Sequence, residues 1–415
     1  MHTVPLAPAR PALPTALDGL RVLEFGHFVA GPYAAMILAD FGADVLKVEN
    51  IQRGDDFRNT RPAIDGIGGS FLWANRGKRS IALDLAHEDG RDVARELILK
   101  SDVVIENYSS SVMQRFGLDY AALALDRPDL IYCSISAYGR DGAYASRGGF
   151  DQVIQAESGL MSLNGEPDAA VLFGLPIIDM SAGMMVSNAV LAALVARSTN
   201  GRGQQIEVAL IDQAVALLSY KAMAYLISGN NPARTGSAGV MMPPVGPFET
   251  QDAPLYICCP NERLYQRLVE KVFERPDMAS DARFSTLAAR VTNIVSLTQE
   301  IASVFLGNKR DSWLARLRTA GIPCGPIATV AEAIASDEIR SRGTVRAIER
   351  PDGSMVPDIA LAPRMSGTPL ASPTAAPRLG QHSLEILSGL LEKEPAEVKR
   401  LLDSGVVKGC VRALT

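Results

Sequence analysis

The sequence predicts an α/β protein: a large Rossmann-like domain on a mostly parallel sheet, joined to a smaller α+β domain. Three observations lead there. β-branched and apolar runs alternate with helical patterns through the first half. The chain opens on a strand–turn–helix–strand unit. Its texture then changes to clustered loop-formers near residue 230 before helical patterns resume.

The opening unit places a strand at 20–25, a turn at 26–32, a helix at 33–41 and a second strand at 43–48. A dinucleotide-binding turn needs G-x-G-x-x-G so that backbone can touch a pyrophosphate. Here only Gly26 and Gly31 remain, with His27 and Val29 between them. The architecture suits a nucleotide-like ligand, and the turn argues against NAD. Further strands are expected at 80–85, 103–106, 130–135 and 205–210, separated by helices such as 88–99 and 120–125. Residues 181–197 are apolar almost all round and read as a buried helix, and 213–228 as another.

Residues 1–228 therefore form the first part of the large domain. Gly229-Asn230-Asn231-Pro232 and Pro243-Pro244-Val245-Gly246-Pro247 mark 229–253 as a linker. The smaller domain covers 254–330, with a strand at 255–259, helices at 262–273, 290–305 and 310–320, and a tight loop at 321–326. Residues 331–415 form a second linker and a return to the large domain. They include an extended Pro-, Ala- and Ser-rich stretch at 363–377 and helices at 383–391 and 395–404. No internal repeat is visible.

With 415 residues, 47% of them hydrophobic and 21% charged, the chain can bury more than one core. A net charge of −5 gives no basic footprint, so nucleic acid and anionic membrane are not expected partners. Cys133, Cys258, Cys259, Cys324 and Cys410 include no C-x-x-C pair, and no leader-like apolar segment precedes them, which fits a reducing cytoplasm. The apolar stretches 171–196 and 206–227 are interrupted by Asp179 and by Asp212 and Lys221, so neither offers a clean span of about 20 residues. The expectation is a soluble, cytoplasmic protein.

His2, His27, His87 and His382 are too scattered for metal-ligand spacing, and no metal is expected. There is no G-x-S-x-G elbow and no phosphate-binding P-loop. Carboxylates remain. Asp179 closes the apolar run 171–178 just before an apolar helix. One reading is a plain helix cap. The other is functional: the helix dipole and free N–H groups keep Asp179 ionised despite apolar neighbours, aimed at an activated acyl group. Arg76, Lys78 and Arg79, in the block 75–84, are either a phosphate site or a solvated basic turn. Glu106-Asn107-Tyr108 through Arg115-Phe116-Gly117-Leu118 follow a parallel strand, on the edge that faces the ligand crevice of open α/β sheets.

Several ordered segments together carry a resemblance: 17–24, Ala30-Gly31-Pro32, 41–49, 75–81, Glu106-Asn107-Tyr108, Arg115-Phe116-Gly117-Leu118, Asn200-Gly201-Arg202-Gly203 and 321–326. From about Leu17 to Val407 the chain resembles the class III CoA-transferases, the CaiB/BaiF or formyl-CoA transferase-like family. The resemblance implies acyl-CoA as substrate, small carboxylic acids as partners in exchange, no tightly bound cofactor and an interlocked homodimer. It implies that Asp179 is the catalytic aspartate. His27, Val29 and Ala30 would lie along CoA, with Leu83, Arg115 and Phe116 near its nucleotide end.

The chain departs from the formyl-CoA transferase pattern in having Val29 for Gln and Asn50 for Arg, a loss that Arg53 would offset. The run of consecutive glycines is absent, and its counterpart is the 236–244 segment around Gly239, with Val240-Met241-Met242 as an apolar lid. The related α-methylacyl-CoA racemases need a His where this chain has Phe150. Phenylalanine carries no proton, so the racemase reading requires Asp151 or another group to stand in. A third reading is a CoA-binding protein without catalysis. The oxyanion is expected to be held by N–H groups at the helix start. Within the transferase reading, donors and acceptors of the succinate type would place a second carboxylate on Arg58, Arg61 or Arg147, with Arg147 preferred.

Overall fold

The computed structural model describes residues 13–109 and 111–409; His2 and Cys410 lie outside them. Six strands run parallel: β1 (Arg21–Phe25), β2 (Asp44–Asn50), β3 (Lys78–Leu83), β4 (Val103–Glu106), β5 (Ile131–Ser136) and β6 (Gln204–Ala209). The short β7 (Val407–Lys408) pairs antiparallel with β3, giving the order β7-β3-β2-β1-β4-β5-β6. From β1 the chain builds outward to β2 and β3, then returns to β1's other side for β4. The switch point falls between the carboxyl ends of β1 and β4, where Phe25 is in register with Glu106. Open α/β sheets bind ligands at such a crevice.

Each inner strand is buried on both faces, which is why these runs read as continuous apolar stretches. Leu23, Phe25, Leu46, Val48, Ile81, Leu83 and Val104 form one side of a core closed by α2 (Glu88–Leu99) and by Ile386, Leu387 and Leu401 from the C-terminal return. His87 caps α2 by accepting the Asp89 N–H.

Helix α1 (Ala30–Asp40) begins three residues earlier than expected, taking Pro32 into its first turn, where a missing N–H does no harm. It packs on α4 (Ile177–Asn200), the 24-residue helix that the sequence places at 181–197. Backbones meet at Gly183, where a Cβ would come within 2.9 Å of the Ala30 carbonyl oxygen. Ser187 secures the crossing by donating to Ala34 O. Helix α4 is long and apolar enough to cross a membrane, but Ala182, Val186 and Val190 are fully buried in this unit. The expectation of burial all round is corrected: Met184, Met185 and Val195 are exposed. The helix expected at 213–228 is two, α5 (Leu210–Leu217) and α6 (Ser219–Ser228), broken at Ser219, whose φ is 56°.

The chain divides into two compact units, whose bounds differ from the expected domain limits. The first comprises the described residues up to Ser158, Phe173–Ser219 and those from Glu338 onward; the second comprises Gly159–Leu172 and Tyr220–Asp337. The proposed linker 229–253 is not only linker, because Val245–Phe248 pairs antiparallel with Leu255–Cys258. The tight loop at 321–326 contributes Cys324–Pro326 as the third strand of that sheet. Leu255, Leu268, Phe284, Ile301, Phe305 and Trp313 fill the second unit's own core. Within it, Arg234 donates to the carbonyls of Ser162, Glu166 and Pro167, which ties the 159–172 excursion to this unit. In the first unit, Val345–Glu349 and Met355–Ile359 form a hairpin that the sequence reading did not anticipate. Of the stretch expected to be extended, 363–377, residues 366–368 form a bend and the rest belongs to no helix or strand.

Candidate active site

The switch point is filled by the turn after β1 and by Asn107-Tyr108 after β4. Asn107 accepts the His27 N–H at 2.9 Å and donates to the His27 carbonyl at 2.8 Å, and His27 Nε2 lies 3.2 Å from the Tyr108 hydroxyl. Burial and the Lys47 charge hold the His27 imidazole below its usual pKa. Phe28 adopts φ 61°, a left-handed conformation that a bulky residue takes only where its surroundings enforce it. Its N–H goes to Asp55, and its ring meets Phe57 and Phe150 edge-on at 5.5 and 5.7 Å.

Beneath this turn lies a charged cluster inside the sheet. Lys47 Nζ bonds Glu24 at 2.8 Å and the Gly26 carbonyl at 2.7 Å, and lies 3.1 Å from Asp55. Lys78 Nζ bonds the second Glu24 oxygen at 2.9 Å, with Pro32 O and Asn75 Oδ1 each at 2.8 Å. Two ammonium groups therefore hold carbonyls at both ends of the turn, fixing its shape by charge-assisted bonds. Burial lowers Lys78 to about 8, while Glu24 and Asp55 keep Lys47 firmly protonated.

These pairings overturn the phosphate-site reading of 75–84. Lys78 is fully engaged; Arg76 is buried on Asp40 and Asp358; Arg79 faces Asp44 and Glu385. Arg58 is also occupied, bidentate on Glu49 at 2.6 and 2.7 Å and stacked over Phe71, so it cannot hold a substrate carboxylate. Arg147 is exposed, paired with Glu157 and laid over the Tyr138 ring. Arg61 is exposed as well.

Asp179 is the third residue of α4, in its first turn, and half-buried. Helix α4 has no cap from its own N-cap residue, Pro176. The cap comes from α3 (Asp151–Glu157): Asp151 Oδ2 accepts the N–H groups of Ile178 at 2.8 Å and Asp179 at 3.0 Å. The N–H of Ile177 goes to Leu175 O and that of Met180 to Pro176 O. Two expectations fail here for one reason. The N–H groups meant to keep Asp179 ionised, and to hold an oxyanion, already serve another carboxylate. Burial first and the Asp151 charge second push the Asp179 carboxyl up to about 7.

Asp151 is 2% exposed and engaged through both oxygens, so it cannot act as the racemase base next to Phe150, which is exposed. Of the other expected contacts, Leu83 ends β3 and Arg53 lies in the turn after β2, while Arg115 and Phe116 end the short helix Val112–Arg115 that follows β4. Arg53 and Arg115 are exposed there and Phe116 is half-buried. Leu83, Val29 and Ala30 are 1%, 3% and 3% exposed, so what they present to a ligand is backbone. Gly239 belongs to the second unit, donating its N–H to Val245 O at 2.7 Å; Met241 and Met242 near it are exposed. The sequence reading missed Glu24, Lys47, Asp55 and Gln155. Charges inside apolar strands, as in Leu23-Glu24-Phe25 and Leu46-Lys47-Val48, were the available signal.

Known proteins resemble this chain over most of its length. The succinate–glutarate CoA-transferase of Agrobacterium fabrum is 38% identical, the alignment covering 90% of this chain and 95% of that protein. The succinyl-CoA:glutarate CoA-transferase of Mus musculus is 32% identical, over 94% of this chain and 90% of that one. The crystal structure of a CaiB/BaiF family protein from Brucella suis superposes with a TM-score of 0.84 at 38% identity, covering 91% of this chain and 100% of that chain. Residues 17–383 match CoA-transferase family III, and the chain belongs to that family.

Proposed function

We propose that the protein moves CoA from an acyl-CoA thioester of the succinyl type to a carboxylic acid, with Asp179 as the nucleophile. The observation that carries this reading is the place of the Asp179 carboxyl, half-buried in the first turn of α4 with its own N–H held by Asp151, where burial and the Asp151 charge push it above its usual pKa, to about 7. It adjoins Asp151, whose neighbour Phe150 packs on the turn at the switch point. An ordinary aspartate, near 3.9, is a far weaker base than an alkyl thiolate, near 8.5; raising the aspartate to about 7 narrows that gap and makes displacement of thiolate less uphill.

The steps balance without an added proton or oxidant. An Asp179 oxygen attacks the donor carbonyl, the C–S bond breaks, and CoA thiolate leaves a mixed anhydride. The thiolate then attacks the aspartyl carbonyl, releasing the donor acid and leaving an aspartyl-CoA thioester. The acceptor carboxylate displaces thiolate from it to form a second anhydride. Attack of thiolate on the acceptor carbonyl completes the new thioester and frees Asp179. The relatives named for succinate, succinyl-CoA and glutarate support a dicarboxylate as one partner.

The test is acyl-CoA alone followed by hydroxylamine, with the Asp179 peptide read by mass. Labelling at Asp179 is expected, and turnover without it would overturn the reading. Labelled succinyl-CoA against a panel of mono- and dicarboxylic acids identifies the acceptor. We further propose a homodimer, supported by exposed apolar residues in each unit: Met184, Met185 and Val195 on α4, and Tyr220, Met223, Leu226 and Ile227 on α6. Light scattering that gives a monomer at working concentration would refute it.

A further inference from the structure

Helix α3 presents two buried polar side chains one turn apart, Asp151 and Gln155, 2% and 1% exposed. Gln155 Nε2 donates to Asp151 Oδ1 at 2.5 Å, and Gln155 Oε1 accepts the Phe173 N–H at 3.0 Å. The same amide nitrogen lies 3.4 Å from the Leu175 carbonyl. Asp151 Oδ2 takes the Ile178 and Asp179 N–H groups. Together the pair grips the lead-in segment at 173 and 175 and the helix start at 178 and 179. A plain cap needs only one oxygen on the helix. Here one carboxylate is braced by a buried amide and bonded to the backbone of the nucleophile itself.

We infer that Asp151 is a positioning residue of the CoA-transfer reaction, braced by Gln155: its carboxylate fixes the backbone of Asp179 by accepting that residue's N–H. The inference rests on Asp179 being the nucleophile. Other charged or titratable groups lie on the elements packed against α4. Helix α1 brings Tyr33 and Asp40, the latter paired with Arg76; β5 brings Tyr132 and Cys133; β6 and α5 bring Glu207 and Asp212; α3 brings Glu157, paired with Arg147. The charge felt at Asp179 is that of Asp151.

Three variants separate geometry from charge: Asp151→Asn, Gln155→Ala and the double Asp151→Asn with Gln155→Glu. In the double variant the Asn oxygen still accepts from α4, its NH2 donates to the new carboxylate, and the charge moves one turn away. The readouts are the pH profile of kcat/KM for succinyl-CoA, the split between kcat and KM, and hydroxylamine trapping.

For Asp151→Asn, the acid limb is expected to move down by about one pH unit, because a like charge beside Asp179 is gone. Its kcat is expected to fall about tenfold, with KM changed by less than about twofold, since a misplaced nucleophile slows the reacting step rather than binding. Gln155→Ala lowers kcat and leaves the limb near its original pH. The double variant recovers most of kcat at high pH while its limb stays below that of the wild type.

Trapping on the wild-type protein is read first. If Asp179 never labels, the nucleophile assignment fails and this inference with it. If Asp179 labels and removal of the Asp151 charge leaves the limb and kcat unchanged, the positioning role alone is overturned. Should Asp151→Asn not fold, the double variant supplies the same comparison.

Discussion

Beneath the turn after β1, Glu24 and Asp55 each face an ammonium group, and the carbonyls of Gly26 and Pro32 and the Asn75 side-chain oxygen take the remaining donors. At the start of α4, Asp151 and Asp179 are two carboxylates with one residue's backbone between them, and the charge acting on Asp179 is a like one. The first group answers every buried charge with its opposite, and Glu24 and Asp55 stay below their usual range. The second leaves repulsion unrelieved and keeps one carboxyl close to neutrality. Complete pairing makes a rigid floor that holds a strained turn in shape; incomplete pairing stores reactivity where an acyl group is to be attacked.

The sharpest way to break this comparison is to delete the reactive carboxyl. Asp179→Ala is expected to lower transfer by at least about ten-thousandfold, since the adjacent carboxylate, Asp151, is engaged through both oxygens, and to leave folding intact. Coupled CoA-exchange assays and a thermal melt check both halves. On the paired side, Lys47→Met leaves Glu24 and Asp55 buried without their shared cation. It is expected to cost about 3 to 5 kcal/mol in a denaturant titration, because an orphaned buried charge is worse than a missing pair. Equal losses of activity without lost stability would mean that the cluster is part of the chemistry.

A smaller effect tests the sign of the unrelieved repulsion. Asp179 has a folded pKa above its unfolded value, so the folded protein holds that proton more tightly. The resulting stabilisation is complete below about pH 4 and is lost as pH rises through about 7. Asp179→Asn is never ionised. It should therefore be more stable than the wild type above pH 7, on the order of 2 kcal/mol after allowing for partial exposure, and equal to it near pH 4. Wild-type kcat/KM should fall in parallel as pH drops through about 7. A stabilisation that persists unchanged at pH 4 would point to packing instead of charge.

Much of this was legible in the chain. The parallel sheet follows from apolar strands alternating with amphipathic helices, and Asp179 stood out as an acid closing an apolar run. The rest depended on partners distant in sequence. Nothing local says that Asp151 caps a helix 26 residues later, or that Arg58 and Lys78 are consumed by Glu49 and Glu24. A basic block before a strand looks the same whether its cations face solvent, phosphate or buried carboxylates. The placement of Val245–Phe248 in a sheet was hidden by its proline and glycine, tolerated because this strand lies at the sheet's edge.

The smallest expected effect concerns Arg147, the cation that the sequence favoured for a second substrate carboxylate. Its guanidinium is engaged by Glu157 and rests over Tyr138 at 4.6 Å from the ring centroid, an arrangement open to solvent. Pairs of this kind contribute little and are screened by salt. Arg147→Ala should therefore leave the ratio of kcat/KM for dicarboxylic over monocarboxylic acceptors within about twofold of the wild type, as expected for an exposed pair. Arg61, exposed in the loop beyond the 56–59 turn, then becomes the better test of the three cations first considered. A large, selective rise in KM for dicarboxylates in Arg147→Ala would show that Glu157 yields this arginine when substrate arrives. Its pairing would then belong with the reactive half of the comparison, not the rigid one.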